Sequence, residues 1–191
     1  MTGISVKKLR KSYGEQVVLD GVTFDATPQQ ITCIMAPSGV GKTTLLRILM
    51  GLESQDDGTV SLPPDCRWAA VFQEDRLLEH LTAMENLRFV LGHELDEGEA
   101  ECLLRELGLS EVAGKAVRDF SGGMKRRLAL ARALLAPSDA LALDEPFAGL
   151  DEENRERAIA CIRSRTAGKI VLLVTHNEDD VIGLNAGLLR L

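Results

Sequence analysis

The chain has 191 residues, of which 45% are hydrophobic and 27% charged, and its formal net charge is −7. This length suits one domain with a sizeable core, and the negative charge argues against a general nucleic-acid binder, because affinity for phosphate backbones comes from clustered Lys and Arg. The four cysteines include no C-x-x-C pair, which favours reduced thiols in a cytoplasmic protein. No stretch approaches the ~18 apolar residues of a membrane span, and the first residues lack the apolar centre of a signal peptide.

The first third of the chain has the pattern of strands separated by turns. The predicted strands lie at 4–9, 17–24, 30–35, 58–62 and 68–73. Gly14 marks the turn between the first two, and residues 45–50 read as a helix that follows the third.

The middle of the chain changes to helical spacing. Helices are predicted at 83–91, 99–107 and 123–135, and in the last of these Leu128, Ala131 and Leu135 share one face. Further on, strands are predicted at 140–143 and 169–174, with a helix at 152–165 between them and one more strand just before residue 191. Strands that alternate with helices indicate a parallel sheet in an α/β core, whose ligands lie at the carboxyl ends of the strands.

The segment that follows the strand at 30–35 closely matches the phosphate-loop pattern G-x-x-x-x-G-K-S/T. Gly39 and Gly41 allow backbone N–H groups to turn around an anion, Lys42 adds a positive charge, and the Thr43 hydroxyl can bind Mg²⁺. The candidate nucleotide-binding residues are Pro37, Ser38, Gly39, Val40, Gly41, Lys42, Thr43 and Thr44. The alternative is a Gly-rich strand-to-helix turn with an exposed lysine, but the flanking strand and helix favour a nucleoside triphosphate site.

One position departs from that pattern. Ala36 stands where the pattern has glycine, immediately before Pro37. Alanine resists positive φ, so the loop is intact only if residue 36 has an ordinary backbone conformation. The simpler interpretation is a tolerated small residue, and the alternative is an impaired site.

Two adjacent acids end the buried strand predicted at 140–143. Asp144 can reach Mg²⁺ through water, and Glu145, turned by Pro146, can act on the attacking water as a general base. A solvated turn is the alternative, and the upstream phosphate loop makes the catalytic interpretation the stronger one.

Ser121, Gly122 and Gly123 open the helix that begins near residue 123. Alone they would indicate an ordinary helix cap, since Ser is favoured at that position. However, Phe120-Ser121-Gly122-Gly123-Met124 resembles the L-S-G-G-Q signature of the ATP-binding cassette (ABC) family, with Phe and Met in place of Leu and Gln.

The resemblance extends along nearly the whole chain. Tyr13 is similar to the family's adenine-stacking aromatic, and Gln73 to the glutamine that senses Mg²⁺ and links to the membrane partner. Asp151 resembles the D-loop aspartate, and His176 the switch histidine on the γ-phosphate. Each has an alternative: Tyr13 as a surface aromatic, Asp151 as a helix cap and His176 as a strand-end histidine.

This resemblance implies a RecA-like P-loop NTPase core with an antiparallel β portion, in a single domain over 1–191 with a helical subdomain inserted at about 77–136. ATP and Mg²⁺ are the implied cofactors. The resemblance implies catalytic roles for Glu145, His176 and Gln73, metal contacts from Thr43, Gln73 and Asp144, and nucleotide contacts from Tyr13, Ser121, Gly122, Gly123 and Asp151. The basic run at 125–127 reads as a solvated face of the signature helix.

The family also implies partners. Two cassette subunits, here a homodimer, would sandwich ATP between the phosphate loop of one and the signature of the other. Separate transmembrane permease subunits would hold the protein peripherally on the inner face of the cell membrane, and an extracytoplasmic binding protein would deliver the cargo.

Two rival functions stay open at this point. One is a soluble cassette ATPase of DNA repair or translation, although the chain shows neither a coiled-coil insertion nor a second cassette. The other is a degenerate nucleotide-sensing module, which Ala36 and Met124 suggest. Within the transporters, the motifs are similar to nitrate, sulfonate and taurine importers or to thiamine importers, and the transported solute cannot be read from this sequence.

Overall fold

The computed structural model describes residues 3–37 and 39–191. Its strands are β1 (Ile4–Tyr13), β2 (Gln16–Ala26), β3 (Thr32–Met35), β4 (Asp57–Ser61), β5 (Trp68–Val71), β6 (Ala140–Asp144), β7 (Ile170–Val174) and β8 (Gly187–Arg190). Its α-helices are α1 (Lys42–Leu49), α2 (Ala83–Leu91), α3 (Glu97–Glu106), α4 (Gly122–Leu135), α5 (Glu152–Arg165) and α6 (Glu178–Leu184). Short 3-10 turns lie at Gly92–Glu94, Ser110–Val112 and Val117–Asp119.

Five strands form a parallel sheet in the order β5-β6-β7-β3-β8. Its inner strands β6 and β7 are buried at every residue, which explains why their sequences are nearly all apolar. Because the strands are parallel, the carboxyl ends of β3, β5, β6 and β7 lie at one edge of the sheet. The phosphate loop, Gln73 and His176 follow these ends, and Asp144 is the last residue of β6.

The other three strands form a small antiparallel sheet in the order β2-β1-β4. β1 pairs with β2 from Ile4 opposite Ala26 to Tyr13 opposite Gln16, with irregular register in between. This sheet carries Tyr13 at its end and places Val18 of β2 against the phosphate loop.

Alternate residues of the parallel strands point to two buried clusters, one on each face of the sheet. Leu141 and Leu143 pack with helices α2 to α5, whereas Ala140 and Ala142 pack with α1 and with the antiparallel strands. Cys33 is fully buried in the first cluster, and burial raises the pKa of its thiol to about 12.

The predicted order of strands and helices is confirmed, with shifts at the ends. The first two strands are longer than predicted, and α3 begins at Glu97 rather than at residue 99. Helix α6 was missed, because its seven residues include Gly183 and begin with three acids, a pattern that reads equally well as a loop. The bounds 77–136 for a helical subdomain remain a prediction, since the first buried cluster runs without a break from α2 to β6.

In the described part of the chain, no helix is both long and apolar enough to cross a membrane.

Candidate nucleotide site

The loop between β3 and α1 has the backbone that a phosphate-binding loop requires. Gly39 and Gly41 both have φ of 85°, where glycine is favoured. A Cβ on Gly41 would lie 2.7 Å from the carbonyl oxygen of Val18, so the approach of β2 excludes any side chain there. No side chain among the described residues caps α1, which leaves its first N–H groups available to an anion. Ser38 lies outside the described residues.

Lys42 spans this loop. Its ammonium group donates to the carbonyl oxygens of Ala36 at 2.7 Å and of Pro37 at 3.0 Å. Ala36 is not among the described residues that have positive φ, so its backbone conformation is one that alanine adopts without strain. The lysine therefore has carbonyl partners that a bound phosphate can replace.

Thr43 and Asp144 form a pair across the edge of the sheet. The Thr43 hydroxyl donates to Oδ2 of Asp144 at 2.6 Å, and Asp144 is buried. Burial raises the pKa of the Asp144 carboxyl, and the Thr43 hydrogen bond opposes that rise. A hydroxyl and a carboxylate are the oxygen ligands that Mg²⁺ prefers, and Mg²⁺ takes its other ligands from water and phosphate. This donor set fits Mg²⁺, although the described residues include no cluster of three or more His, Cys, Asp and Glu that could hold a metal alone.

Glu145 lies next to this pair and has an unusual backbone. Its φ is 49°, a left-handed conformation that is strained for a non-glycine residue, and its N–H donates to the Val174 carbonyl at 3.0 Å. The strained turn follows β6 directly, and Glu145 lines the same cavity as Asp144. His176 Nδ1 lies 3.8 Å from Glu145 Oε1, too far for a hydrogen bond.

These groups share a cavity of about 250 Å³ at the carboxyl edge of the sheet. Its lining residues are Val18, Gly39, Gly41, Lys42, Thr43, Thr44, Gln73, Asp144 and Glu145. A second cavity of about 260 Å³ shares Glu145 and contains His176. The structure therefore brings most of the predicted phosphate, metal and catalytic residues together, with His176 on the far side of Glu145. Val18 was not predicted as a site residue. It reaches the cavity only because β2 of the antiparallel sheet packs against the phosphate loop.

The remaining predicted residues lie outside the first cavity. Ser121 caps α4 by accepting from the Met124 N–H at 3.2 Å, and Asp151 caps α5 by accepting from the Asn154 N–H at 2.9 Å. Tyr13 is 49% exposed, with the Lys11 ammonium 5.3 Å from its ring centre. Local caps thus account for Ser121 and Asp151 within one chain.

Gly122 and Gly123 follow Ser121 in the first turn of α4. Gly122 is exposed, and a Cβ on it would meet no atom within 4 Å. A Cβ on Gly123 would lie 3.0 Å from the Gly149 carbonyl oxygen, so the signature segment packs closely on the loop that leads to Asp151. Glycine is sterically favoured at 123 but not at 122.

The prediction that the basic run at 125–127 is a solvated face is wrong for two of its three residues. Arg126 is only 5% exposed and Arg127 only 6%. Arg127 donates to the carbonyls of Leu107 and Gly108 at the end of α3, while Lys125 pairs with Glu79 at 2.7 Å. A buried arginine requires such partners, and these lie too far along the chain for a local pattern to show them.

Arg126 instead connects α4 to the segment that carries Gln73. Its guanidinium donates to the Phe72 carbonyl at 2.6 Å, to the Gln73 carbonyl at 3.1 Å and to the Asp75 carboxylate at 3.0 Å. Arg132, two turns later, donates to the carbonyls of Asp75 and Arg76. The Gln73 segment is therefore held by the signature helix, and Gln73 lines the nucleotide cavity.

Comparison with known proteins shows the family. The family model described as "ABC transporter" matches residues 19–148. The chain is 41% identical over 185 residues to an "Aliphatic sulfonates import ATP-binding protein" of Paraburkholderia xenovorans (strain LB400). This match covers 95% of this chain and 73% of the relative. It is 37% identical over 199 residues to a protein of the same description from Pseudomonas aeruginosa (strain UCBPP-PA14), covering 96% and 80%.

A further relative has a different transport direction in its name. This is a "Nod factor export ATP-binding protein" of Paraburkholderia xenovorans (strain LB400), 40% identical over 190 residues, covering 91% of this chain and 62% of the relative. Among solved structures, the dimeric structure of MJ0796, a bacterial ABC transporter cassette, matches with a TM-score of 0.83 and 27% identity over 98% of this chain and 94% of that one. The chain therefore belongs to the ABC transporter family and is one of its ATP-binding subunits, an ATPase.

Proposed function

We propose that this chain hydrolyses ATP to drive import of a small solute, of the aliphatic sulfonate class, through separate membrane subunits. The observation that carries the proposal is the shared cavity of about 250 Å³ that holds the phosphate loop, the Thr43–Asp144 pair, Gln73 and Glu145. The names of the relatives support the sulfonate class and the import direction.

In the proposed reaction the ATP phosphates occupy the loop from Pro37 to Thr44, Ser38 included. Lys42 exchanges its bonds with the Ala36 and Pro37 carbonyls for bonds with phosphate oxygens. Thr43, Asp144 and Gln73 would hold Mg²⁺, which would neutralise phosphate charge.

Glu145 is the proposed general base. Its carboxylate accepts the proton of the water that attacks the γ-phosphate, and the residue lines the same cavity as Lys42 and Thr43. His176, which faces Glu145 from the second cavity, holds the γ-phosphate from the other side. The Tyr13 ring stacks on adenine at the opposite end of the nucleotide, where its exposed face is available.

The complete site requires two chains. Ser121, Gly122 and Gly123 of one chain contact the γ-phosphate bound by the loop of the other, because the first turn of α4 presents the N–H groups of Gly122 and Gly123 and the positive end of the helix dipole. Asp151 lies at the same interface, since Gly123 packs on the loop that leads to it. The match to a dimeric cassette structure supports this arrangement in a homodimer.

The membrane partners are proposed to dock beside Gln73. A cavity of about 390 Å³, lined by Arg47, Leu52, Phe72, Gln73, Glu74 and Arg76 among others, adjoins the nucleotide cavity through Thr43 and Gln73. The Arg126 contacts then transmit a push at this groove to the signature helix. The permease subunits would place the protein on the cytoplasmic face of the membrane, and an extracytoplasmic binding protein would supply the solute.

Reconstitution tests this function. The chain and its permease are placed in proteoliposomes with ATP on the cassette side and a radiolabelled aliphatic sulfonate on the other, and Lys42→Ala serves as the inactive control. ATP-dependent uptake toward the cassette side is expected. If uptake fails and ATP-dependent transport is seen only when the labelled sulfonate starts on the cassette side, the direction is export rather than import.

A crosslink tests the docking surface and the rival function. Arg76→Cys should crosslink to a co-expressed permease, whereas the exposed control Asp20→Cys and the wild-type chain should not. Purification with ribosomes or DNA and without permease would favour the rival ATPase of repair or translation, and ATP binding without turnover would favour the degenerate module.

A further inference from the structure

A buried ion pair lies in the wall of the second cavity. The proposed reaction does not use its two residues. Asp180 of α6 is 2% exposed, and its Oδ1 accepts from Arg155 Nε at 2.7 Å. Its Oδ2 accepts from the Thr175 hydroxyl. Both oxygens of this carboxylate are therefore bonded, one to helix α5 and one to the end of β7.

Thr175 in turn holds the backbone on both sides of His176. Its hydroxyl accepts from the Asn177 N–H at 3.1 Å, and its own N–H donates to the Ile34 carbonyl at 3.2 Å in the strand that leads into the phosphate loop. The His176 side chain itself is 74% exposed, and its Nδ1 lies 3.8 Å from Oε1 of Glu145. Its position therefore depends on this backbone.

Arg155 connects the same carboxylate to the D-loop side. It lies one turn into α5, and its N–H donates to the Asp151 carbonyl at 2.9 Å. Arg155, Thr175 and Asp180 all line the second cavity together with His176 and Glu145. A shift of α5 would reach His176 through Arg155, Asp180 and Thr175 in that order.

We propose that Asp180 is a positioning residue for ATP hydrolysis, which holds His176 through Thr175 and is itself fixed by Arg155. This inference rests on the proposed role of His176 at the γ-phosphate. It adds to that role a physical link between the start of α5, where Asp151 lies, and the histidine. A small displacement of a group that acts in the transition state lowers turnover without removing ground-state contacts of the substrate.

Steady-state ATPase kinetics of four single variants test the proposal. Asp180→Asn and Thr175→Val should each lower kcat by about tenfold with the KM for ATP within about twofold of wild type, because the phosphate loop is untouched. Thr175→Ser keeps the hydroxyl and should retain wild-type kcat. Glu178 lies on the same helix as Asp180, and Glu178→Gln breaks only its exposed ion pair with Arg190 of β8, so this variant should also match wild type.

Asp180→Asn leaves Arg155 with a weakened buried partner and can fail to fold. Thr175→Val then decides, because it cuts the link to His176 and leaves the Arg155–Asp180 pair in place. Wild-type kcat in Thr175→Val, or an equal loss in Thr175→Ser, would overturn the proposal.

Double variants with His176→Ala separate positioning from general destabilisation. If Asp180 acts through His176, then Asp180→Asn and Thr175→Val should lower kcat no further in the His176→Ala background. A full additional tenfold loss would overturn the positioning role while leaving the function of His176 intact. Wild-type kcat in His176→Ala alone would instead show that the proposed role of His176 is wrong, and this inference would fail with it.

Discussion

The Thr43 hydroxyl donates a 2.6 Å hydrogen bond to Oδ2 of Asp144, which joins the first turn of α1 to the end of β6 across 101 residues of sequence. The carboxylate is buried beside Glu145, and burial raises its pKa above the ordinary value of 3.8. The pair therefore holds a buried negative charge, which lowers the free energy of unfolding, beside the expected position of the metal-bound phosphate.

The raised pKa of Asp144 predicts that the site is stabilised when its charge is removed. The folded state holds this proton more tightly than the unfolded state, so the free energy of unfolding falls as the pH rises from about 3.8 through the folded pKa. At neutral pH without nucleotide, Asp144→Asn should raise the melting temperature by about 2–4 °C, which corresponds to about 1 kcal/mol, and should abolish turnover. Thermal melts between about pH 4 and 8 measure this, with the gain shrinking toward the acid end.

Asp139, immediately before β6, is the matched control. Its carboxylate accepts from the Arg67 N–H, which lowers its pKa, so Asp139→Asn should lower the melting temperature at neutral pH. A lower melting temperature in Asp144→Asn as well would show that burial does not dominate at Asp144.

Lys42 and Tyr13 lie toward opposite ends of the proposed nucleotide, so substitutions at the two positions should affect ATP hydrolysis differently. Lys42→Ala removes the charge that faces the phosphates and should abolish hydrolysis. Tyr13→Ala removes only a stacking surface and should weaken ATP affinity by about 1–3 kcal/mol with kcat largely kept. Steady-state kinetics together with binding of a fluorescent ATP analogue measure both effects. Wild-type turnover in Lys42→Ala would refute the phosphate-loop assignment.

Arg126 should matter for stability as well as for coupling. Arg126→Ala leaves two carbonyls and the Asp75 carboxylate without their donor in a buried place, so the free energy of unfolding should fall by about 3 kcal/mol or more. Arg118→Ala, which removes an exposed arginine 4.0 Å from Asp119, should change it by less than about 0.5 kcal/mol. Urea unfolding of the two variants measures the difference. Equal small decreases in the free energy of unfolding would mean that the Arg126 contacts do not contribute to stability.

Much of the site follows from local sequence patterns. The glycines of the phosphate loop, the acids after β6 and the strand-to-helix order each depend on residues that are neighbours in the chain, so spacing alone predicts them. Parallel strands then bring Gln73, Asp144 and Glu145 to one edge without further information.

The features that sequence reasoning missed all depend on distant contacts or on the backbone. Arg126 is charged and lies in a basic run, and only its bonds to carbonyls more than 50 residues away make it a buried residue. The left-handed φ of Glu145 could not be predicted from the sequence, because glutamate normally avoids this backbone conformation. Asp180 carries no motif, and its partners Arg155 and Thr175 come from two other elements.

Glu145→Gln tests the two-chain site. Gln keeps the size and hydrogen-bonding capacity of the side chain at φ 49° but cannot accept a proton, so ATP should bind and remain unhydrolysed. The γ-phosphate would then hold Lys42 of one chain and Ser121 of the other together. In Glu145→Gln with Ser121→Arg, the added cation would fill the place of the partner's phosphate, and the protein should stay monomeric.

The molar mass of Glu145→Gln in saturating ATP and Mg²⁺, measured by light scattering, tests this account most directly. The account predicts twice the single-chain mass of 20.8 kDa with ATP and the single-chain mass with ADP. A single-chain mass with ATP, under conditions where binding is complete, would contradict the homodimeric sandwich on which the proposed function depends.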